Sequence, residues 1–299
     1  MNNLYQINKK LTFTIFFFSL TCLFFVNLEF ENSFLILICF FFIATIGVSH
    51  GALDHLKGYK VLKIYKIKNK SLFYISYLFI CLIVVIVWVA YPTITLILFL
   101  LIASYHFGKE DSSFDKFQKR KFINLYLFFK GSLIILAPLW INPAETIKIF
   151  DLLDVQFFIL DENIILLLIG LSVLSNVLIN RNTSIGIIDS FSIIMLNLTF
   201  MPLVAFTIYF CFLHSIRHSI SLINEMDNKN FKNGTKIFFK RALPLTFITG
   251  LLFLFGLFIL NNYYSFNYSI LKVIFIGLAS LTFPHILLEY LLEKNEKKS

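Results

Sequence analysis

Cysteine is scarce in this chain and offers no chemistry of its own. Cys22, Cys39, Cys81 and Cys211 all fall in apolar stretches, without the paired spacing of a thiolate metal site or a disulfide framework. Charge is scarce too, at 14% of the 299 residues, and no segment is long and polar enough to form a water-soluble domain. No internal repeat or low-complexity linker divides the chain, so it reads as a single transmembrane domain over residues 1–299. No small-residue A-x-A site follows the first apolar run, which therefore reads as a retained span and not a cleaved signal. His-Glu-x-x-His is absent, which removes the general base of a zinc peptidase, and so are the dense HxxHH boxes of membrane di-iron desaturases.

What the chain does have is apolar residues: 58% of the total, with 38 Phe and a mean hydropathy of +0.82. Such a composition suits lipid as the solvent. Ten apolar runs recur along the chain, and most approach the roughly 20 residues a helix needs to cross the hydrocarbon core. They are Leu11–Leu28, Ser33–Ser49, Leu72–Tyr91, Thr93–Tyr105, Leu125–Ile141, Ile164–Leu178, Ile185–Phe200, Leu203–Leu222, Leu243–Leu260 and Ile270–Leu292. A bilayer requires each backbone N–H and C=O to be paired within its own segment, so the predicted class is all-α, a polytopic integral membrane helical bundle. Asn142–Asn163, polar but interrupted by apolar positions, is expected to lie along the outer surface as an amphipathic segment.

Lysine and arginine gather on the cytoplasmic side of short loops. Placing both termini in the cytoplasm puts all but four of the 26 basic residues there, and leaves Glu29, Glu31, Glu145, Asp151, Asp154, Asp161 and Glu162 on the opposite side. The net charge of +9 is spread over cytoplasmic segments at membrane edges. That pattern fits anionic lipid and argues against a nucleic-acid partner.

All six histidines lie in four short motifs: His50-Gly-Ala-Leu-Asp-His55, Tyr105-His106-Phe107-Gly108, His214-Ser-Ile-Arg-His218 and Pro284-His285. The topology assigns them one depth, near the inner face, on the second, fourth, eighth and tenth spans. Ionisable groups inside a membrane are costly and mostly functional. His214 and His218 are i,i+4 and share a helix face, so they can chelate one ion. His50 and His55, at i,i+5, point roughly 140° apart on a continued 3.6-residue helix, so one is expected as ligand and the other as a neighbour. His50–Asp54, His106–Glu110 and His285–Glu289 each stand four apart, the spacing at which a carboxylate can accept the far N–H of a bound imidazole. Arg217 has two readings, a partner for Glu110 or Asp54 or a snorkelling surface cation. Asp189 and Lys130, inside predicted spans, are weaker functional candidates; each reads equally as a bundle-facing structural group, and Lys130 as the mark of a misjudged helix start.

Imidazole-rich sites suit Fe, Zn, Cu or Ni. A mononuclear four-His centre fits best, since neutral ligands leave the ion its charge and open positions for O₂ and an uncharged substrate. Three other readings remain open: a transporter or proton relay using titrating histidines, a haem-binding electron-transfer protein, and an oxygenase acting on another lipid.

Taken in order, the four histidine motifs resemble the Brp/Blh family of membrane β-carotene 15,15′-dioxygenases over nearly the full chain, the HGALDH string at His50 being the most specific. The resemblance implies a multi-pass enzyme of the bacterial or archaeal cell membrane whose Fe(II) centre cleaves β-carotene with O₂ into two all-trans-retinal. Delivery of retinal to a rhodopsin is the partner such a product implies. The family's iron ligands would fall on His50, His106, His214 and His218. Asp54, His55 and His285 would be supporting residues, and Glu110, Arg217 and Glu289 are placed beside them. Family members often carry proline before the first motif histidine, where this chain has Ser49, which bears on the local helix ending and the orientation of His50.

Overall fold

The computed structural model describes residues 2–25, 32–113, 122–156, 160–180 and 182–296. The side chain of His50 lies outside the described set, as do Glu29, Glu31, Lys116, Lys119, Arg120, Lys121, Arg181, Lys297 and Lys298. Every regular element among the described residues is helical. In chain order these are α1 (Asn2–Phe25), α2 (Asn32–Phe42), α3 (Asp54–Ile64), α4 (Ser71–Ala90), α5 (Pro92–Glu110), α6 (Ile123–Ile141) and α7 (Pro143–Leu152). Beyond them come α8 (Glu162–Ile179), α9 (Thr183–Thr199), α10 (Pro202–Ile208), α11 (Ser215–Met226), α12 (Phe231–Leu260) and α13 (Phe266–Glu296).

By length and composition, nine helical stretches among the described residues can cross a bilayer, and α9, 17 residues long, is a shorter tenth. The chain is thus a multi-pass membrane protein. Two of the crossings are not uniform α-helix. In Ser33–Ile64, α2 passes through a π segment, Ile43–Gly47, and a 3₁₀ segment, Val48–Leu53, before α3. In Pro202–Met226, a second π segment, Tyr209–His214, joins α10 to α11. The segment from Asn142 forms α7, a short helix begun by Pro143 that buries Thr146 and Phe150. Residues 157–159 lie outside the described set.

Large apolar side chains such as Val89, Phe247 and Phe258 face outward, while polar side chains face the bundle interior. This inversion is tolerable only in lipid, where a group with no partner costs several kcal/mol and polar atoms must satisfy each other. Helices α5 and α6 approach most closely, through Ser104 and Gly108 on one and Gly131 on the other. A Cβ on either glycine would overlap the backbone of the facing helix, the small-residue packing common between membrane helices. Ser132 and Ser172 link α6 to α8 at 3.0 Å, and Asn176 links α8 to Ser190 of α9 at 2.8 Å. The ends of α3, α5, α11 and α13 meet, joined by the ion pairs Lys57–Glu289, Lys60–Glu225 and Lys109–Glu293.

Candidate metal centre

Helix α5 brings His106, Glu110 and Asp111 into the bundle at its lysine-rich end. The second π segment and α11 bring Tyr209, His214, Arg217 and His218, α13 brings His285 and Glu289, and the start of α3 brings Asp54 and Lys57. A π segment shifts the register of the helix beyond it and often marks a functional site. Here both π segments sit beside histidine motifs and pack on one another: Gly47 accepts from Ser215 Oγ at 3.2 Å, and a Cβ on Gly47 would press into the Phe210 ring. Ser49, at the position where the resemblance led to proline, donates its hydroxyl to Ile46 O at 2.8 Å, just where the helical type changes.

Four imidazoles converge. Ring centroids lie 5.5 Å apart for His106–His214, 5.1 Å for His106–His285 and 5.9 Å for His218–His285. All four side chains are buried. His285 is therefore in the cluster together with three of the ligands expected from the resemblance. His55 is not: its Nδ1 lies 3.0 Å from Ala52 O, and its half-buried ring meets Tyr59 edge-on. The local 3₁₀ geometry also removes the premise of a continued 3.6-residue helix between His50 and His55.

Each clustered imidazole has a carboxylate beside it, and most of the pairings cross between helices. His218 Nδ1 lies 2.6 Å from Glu110 Oε2. His214 Nδ1 lies 3.0 Å from Asp111 Oδ1, and His285 Nδ1 lies 2.8 Å from both oxygens of Asp54. Glu289 stands 3.8 Å from His106 Nδ1 and 3.6 Å from His285 Nε2, and accepts from Lys57 at 2.7 Å. Of the two i,i+4 pairs whose side chains are both described, His285–Glu289 is close, whereas Glu110 pairs with His218 across helices; His50–Asp54 involves a side chain outside the described set. A carboxylate at Nδ1 makes that nitrogen the donor and Nε2 the lone-pair nitrogen, so a metal would meet His214, His218 and His285 through Nε2.

Arg217 contacts neither Glu110 nor Asp54, and it does not snorkel. It is 2% exposed and makes a salt bridge with Asp111 Oδ2 at 3.3 Å and with Asp189 Oδ1 at 2.5 Å, while donating to Asn8 and Thr12 at 2.8 Å each. Tyr209 donates to Asp111 at 2.6 Å, and Tyr77 to Asp54 at 2.9 Å. Lys130 is buried with its ammonium 3.4 Å from Asp111 O. Among the described residues this layer brings together the carboxylates Asp54, Glu110, Asp111, Asp189 and Glu289 and the cations Lys57, Lys130 and Arg217. Imidazole and carboxylate donors together in one buried layer fit a metal.

Sequence reasoning missed Asp111, Tyr209, Asn8, Thr12, Tyr77 and Lys57. One signal for Asp111 was available, because a span ending at Tyr105 falls short of the roughly 20 residues needed to cross. Extending it brings Glu110 and Asp111 inside.

Beyond the histidines an apolar pocket, partly open, lies among α5, α6, α7, α10 and α13, walled by Phe99, Ala103, Phe107, Leu203, Phe206 and Phe275. Phe107 also meets His214 edge-on at 4.8 Å, so a single ring separates chamber from imidazoles.

Comparison with known proteins identifies a family. A family profile described as beta-carotene 15,15'-dioxygenase matches residues 41–293. A curated relative of that name from uncultured marine bacterium 66A03 is 28% identical over 250 residues, covering 81% of this chain and 88% of its own. No solved structure matches the chain. With the matched region containing all four histidine motifs, the chain belongs to the β-carotene 15,15′-dioxygenase family.

Proposed function

We propose that this membrane carotenoid dioxygenase cleaves the central 15,15′ double bond of β-carotene with O₂ to give two retinal molecules, at an Fe(II) ion held by His106, His214 and His218. His50 remains in the set through the resemblance, and the geometry adds His285. The observation that carries this reading is the layer of four imidazoles, each beside its own carboxylate, separated by one aromatic ring from an apolar chamber.

Iron(II) supplies the one-electron chemistry that lets ground-state O₂ react with a closed-shell alkene. The conversion takes one alkene and one O₂ to two aldehydes, so no external reductant is required. The chain's own residues do the rest. Asp54, Glu110 and Asp111 fix the rings of His285, His218 and His214 through Nδ1. β-Carotene passes from one apolar medium to another, so transfer from lipid contributes little and recognition comes from shape. Phe107, which lines the chamber and touches His214, is placed to set how far the polyene advances. Closely packed imidazoles leave no slab for a porphyrin between them, which counts against the haem reading. Their position at one end of the bundle, and not at mid-membrane, counts against transport.

We place the protein in the cell membrane with its lysine-rich end in the cytoplasm, from where retinal would pass to a rhodopsin. Expression in a bacterial strain that accumulates β-carotene tests the reading. Loss of colour with retinal formed is the expected result; retained carotene with well-expressed, iron-replete protein would overturn it.

A further inference from the structure

Helix α1 lies outside residues 41–293, the part matched by the family profile. It nevertheless buries a stripe of Asn8, Thr12, Ile15 and Ser19, whose spacings of four, three and four residues trace one helix face. The two polar residues at its start reach the centre of the bundle: Asn8 Oδ1 accepts from Arg217 Nε and Thr12 Oγ1 from a terminal guanidinium nitrogen, both at 2.8 Å. Arg217 stands between His214 and His218 in sequence and forms the salt bridge with Asp111, whose other oxygen meets His214 Nδ1. Asp189, on the far side, is at 2.5 Å from the same guanidinium. Helix α9, which carries Asp189, is tied to α1 a second time by Thr199 Oγ1 donating to Ser19 O at 3.3 Å.

We infer that α1 is a positioning element of the metal centre, with Asn8 and Thr12 orienting Arg217 so that Arg217 and Tyr209 together hold Asp111 against His214. A guanidinium is planar with its donors in a fixed fork, so the acceptors on one edge determine where the others point. Asp111 and Asp189 compete for this cation from opposite sides. Without the α1 acceptors, the guanidinium is free to rotate toward Asp189. Asp111 then loses its ion-pair partner, and the His214 ring loses a fixed Nδ1 acceptor. Partners of this kind typically alter metal affinity or activity by about 10–100-fold when removed. Asn8 and Thr12 act at one further remove, so the low end applies. None of the named chamber residues lies on α1, so substrate binding should be untouched.

The inference rests on the metal reading of the histidine layer, and its test separates the two. The purified full-length protein, stripped of metal, is titrated with Co²⁺ as a spectroscopic probe, alongside the double variant Asn8→Leu with Thr12→Val, the single variant Thr12→Ser, and Ile15→Ala, which loosens α1 packing without touching Arg217. The double variant should bind Co²⁺ about tenfold more weakly, with shifted ligand-field bands. Reloaded with iron it should show a lower kcat at unchanged KM. Thr12→Ser and Ile15→Ala should behave as the parent protein does. Equal Co²⁺ affinity and unchanged bands in the double variant would overturn the inference alone, as would an equal loss in Ile15→Ala, which would make α1 merely structural. A parent protein that takes up no Co²⁺ would overturn the metal reading first.

Discussion

The two ends of the bundle differ in chemistry and in backbone geometry. At the lysine-rich end, two crossings leave α geometry through π and 3₁₀ segments, and buried imidazoles, carboxylates and cations satisfy one another. Toward the other end, α5, α6 and α10 stay α-helical, α6 across an internal Pro138 and α10 from Pro202, and they border a chamber walled almost wholly by carbon. The backbone departs from regularity where side chains must be aimed, and stays regular where only a shaped apolar space is required. Phe107 and His106, adjacent on α5, mark the boundary between these regions.

The largest effects should come from the histidines themselves. His106→Ala, His214→Ala or His218→Ala should remove bound metal and retinal formation below detection in protein that still inserts; full activity in one of them would take that residue out of the layer. His285→Ala separates the geometry from the resemblance. If its place in the cluster means ligation, metal content should fall as far as in His106→Ala, whereas a supporting role would leave most of the metal bound. Next come the carboxylates: Asp111→Asn and Glu110→Gln should each lower metal affinity or kcat by about 10–100-fold, read by metal analysis and turnover.

The chamber should respond differently. Ala103→Phe fills its wall, and should lower kcat/KM for β-carotene by about tenfold, or roughly 1.4 kcal/mol, with metal content unchanged. Metal loss in that variant would show that the two regions are not separable. The smallest effect belongs to His55→Ala, expected within about twofold of the parent in metal and turnover, because its ring faces Tyr59 and not the cluster.

The crossings were legible in the sequence because lipid demands long apolar runs, but their ends were not where a polar residue faces inward. Starting the first span at Leu11 passed over Asn8, whose side chain is buried. Starting the ninth at Leu243 cut off the basic first turns of α12, which begins at Phe231. The histidine layer was legible from the clustering of motifs at one depth. The carboxylate assignments were not, because i,i+4 spacing speaks only for neighbours on one helix, whereas Glu110, Asp111 and Asp54 pair across helices that only packing brings together. The path of Arg217 to α1 was hidden for the same reason.

Metal removal and return bear most directly on the histidine layer as the centre of catalysis. Chelated protein supplied with β-carotene and O₂ should form no retinal, and activity should return in proportion to Fe(II) added, saturating near one ion per chain. Retinal formation that persists in metal-free protein, or that returns equally with His106→Ala and His214→Ala in place of the parent, would contradict it.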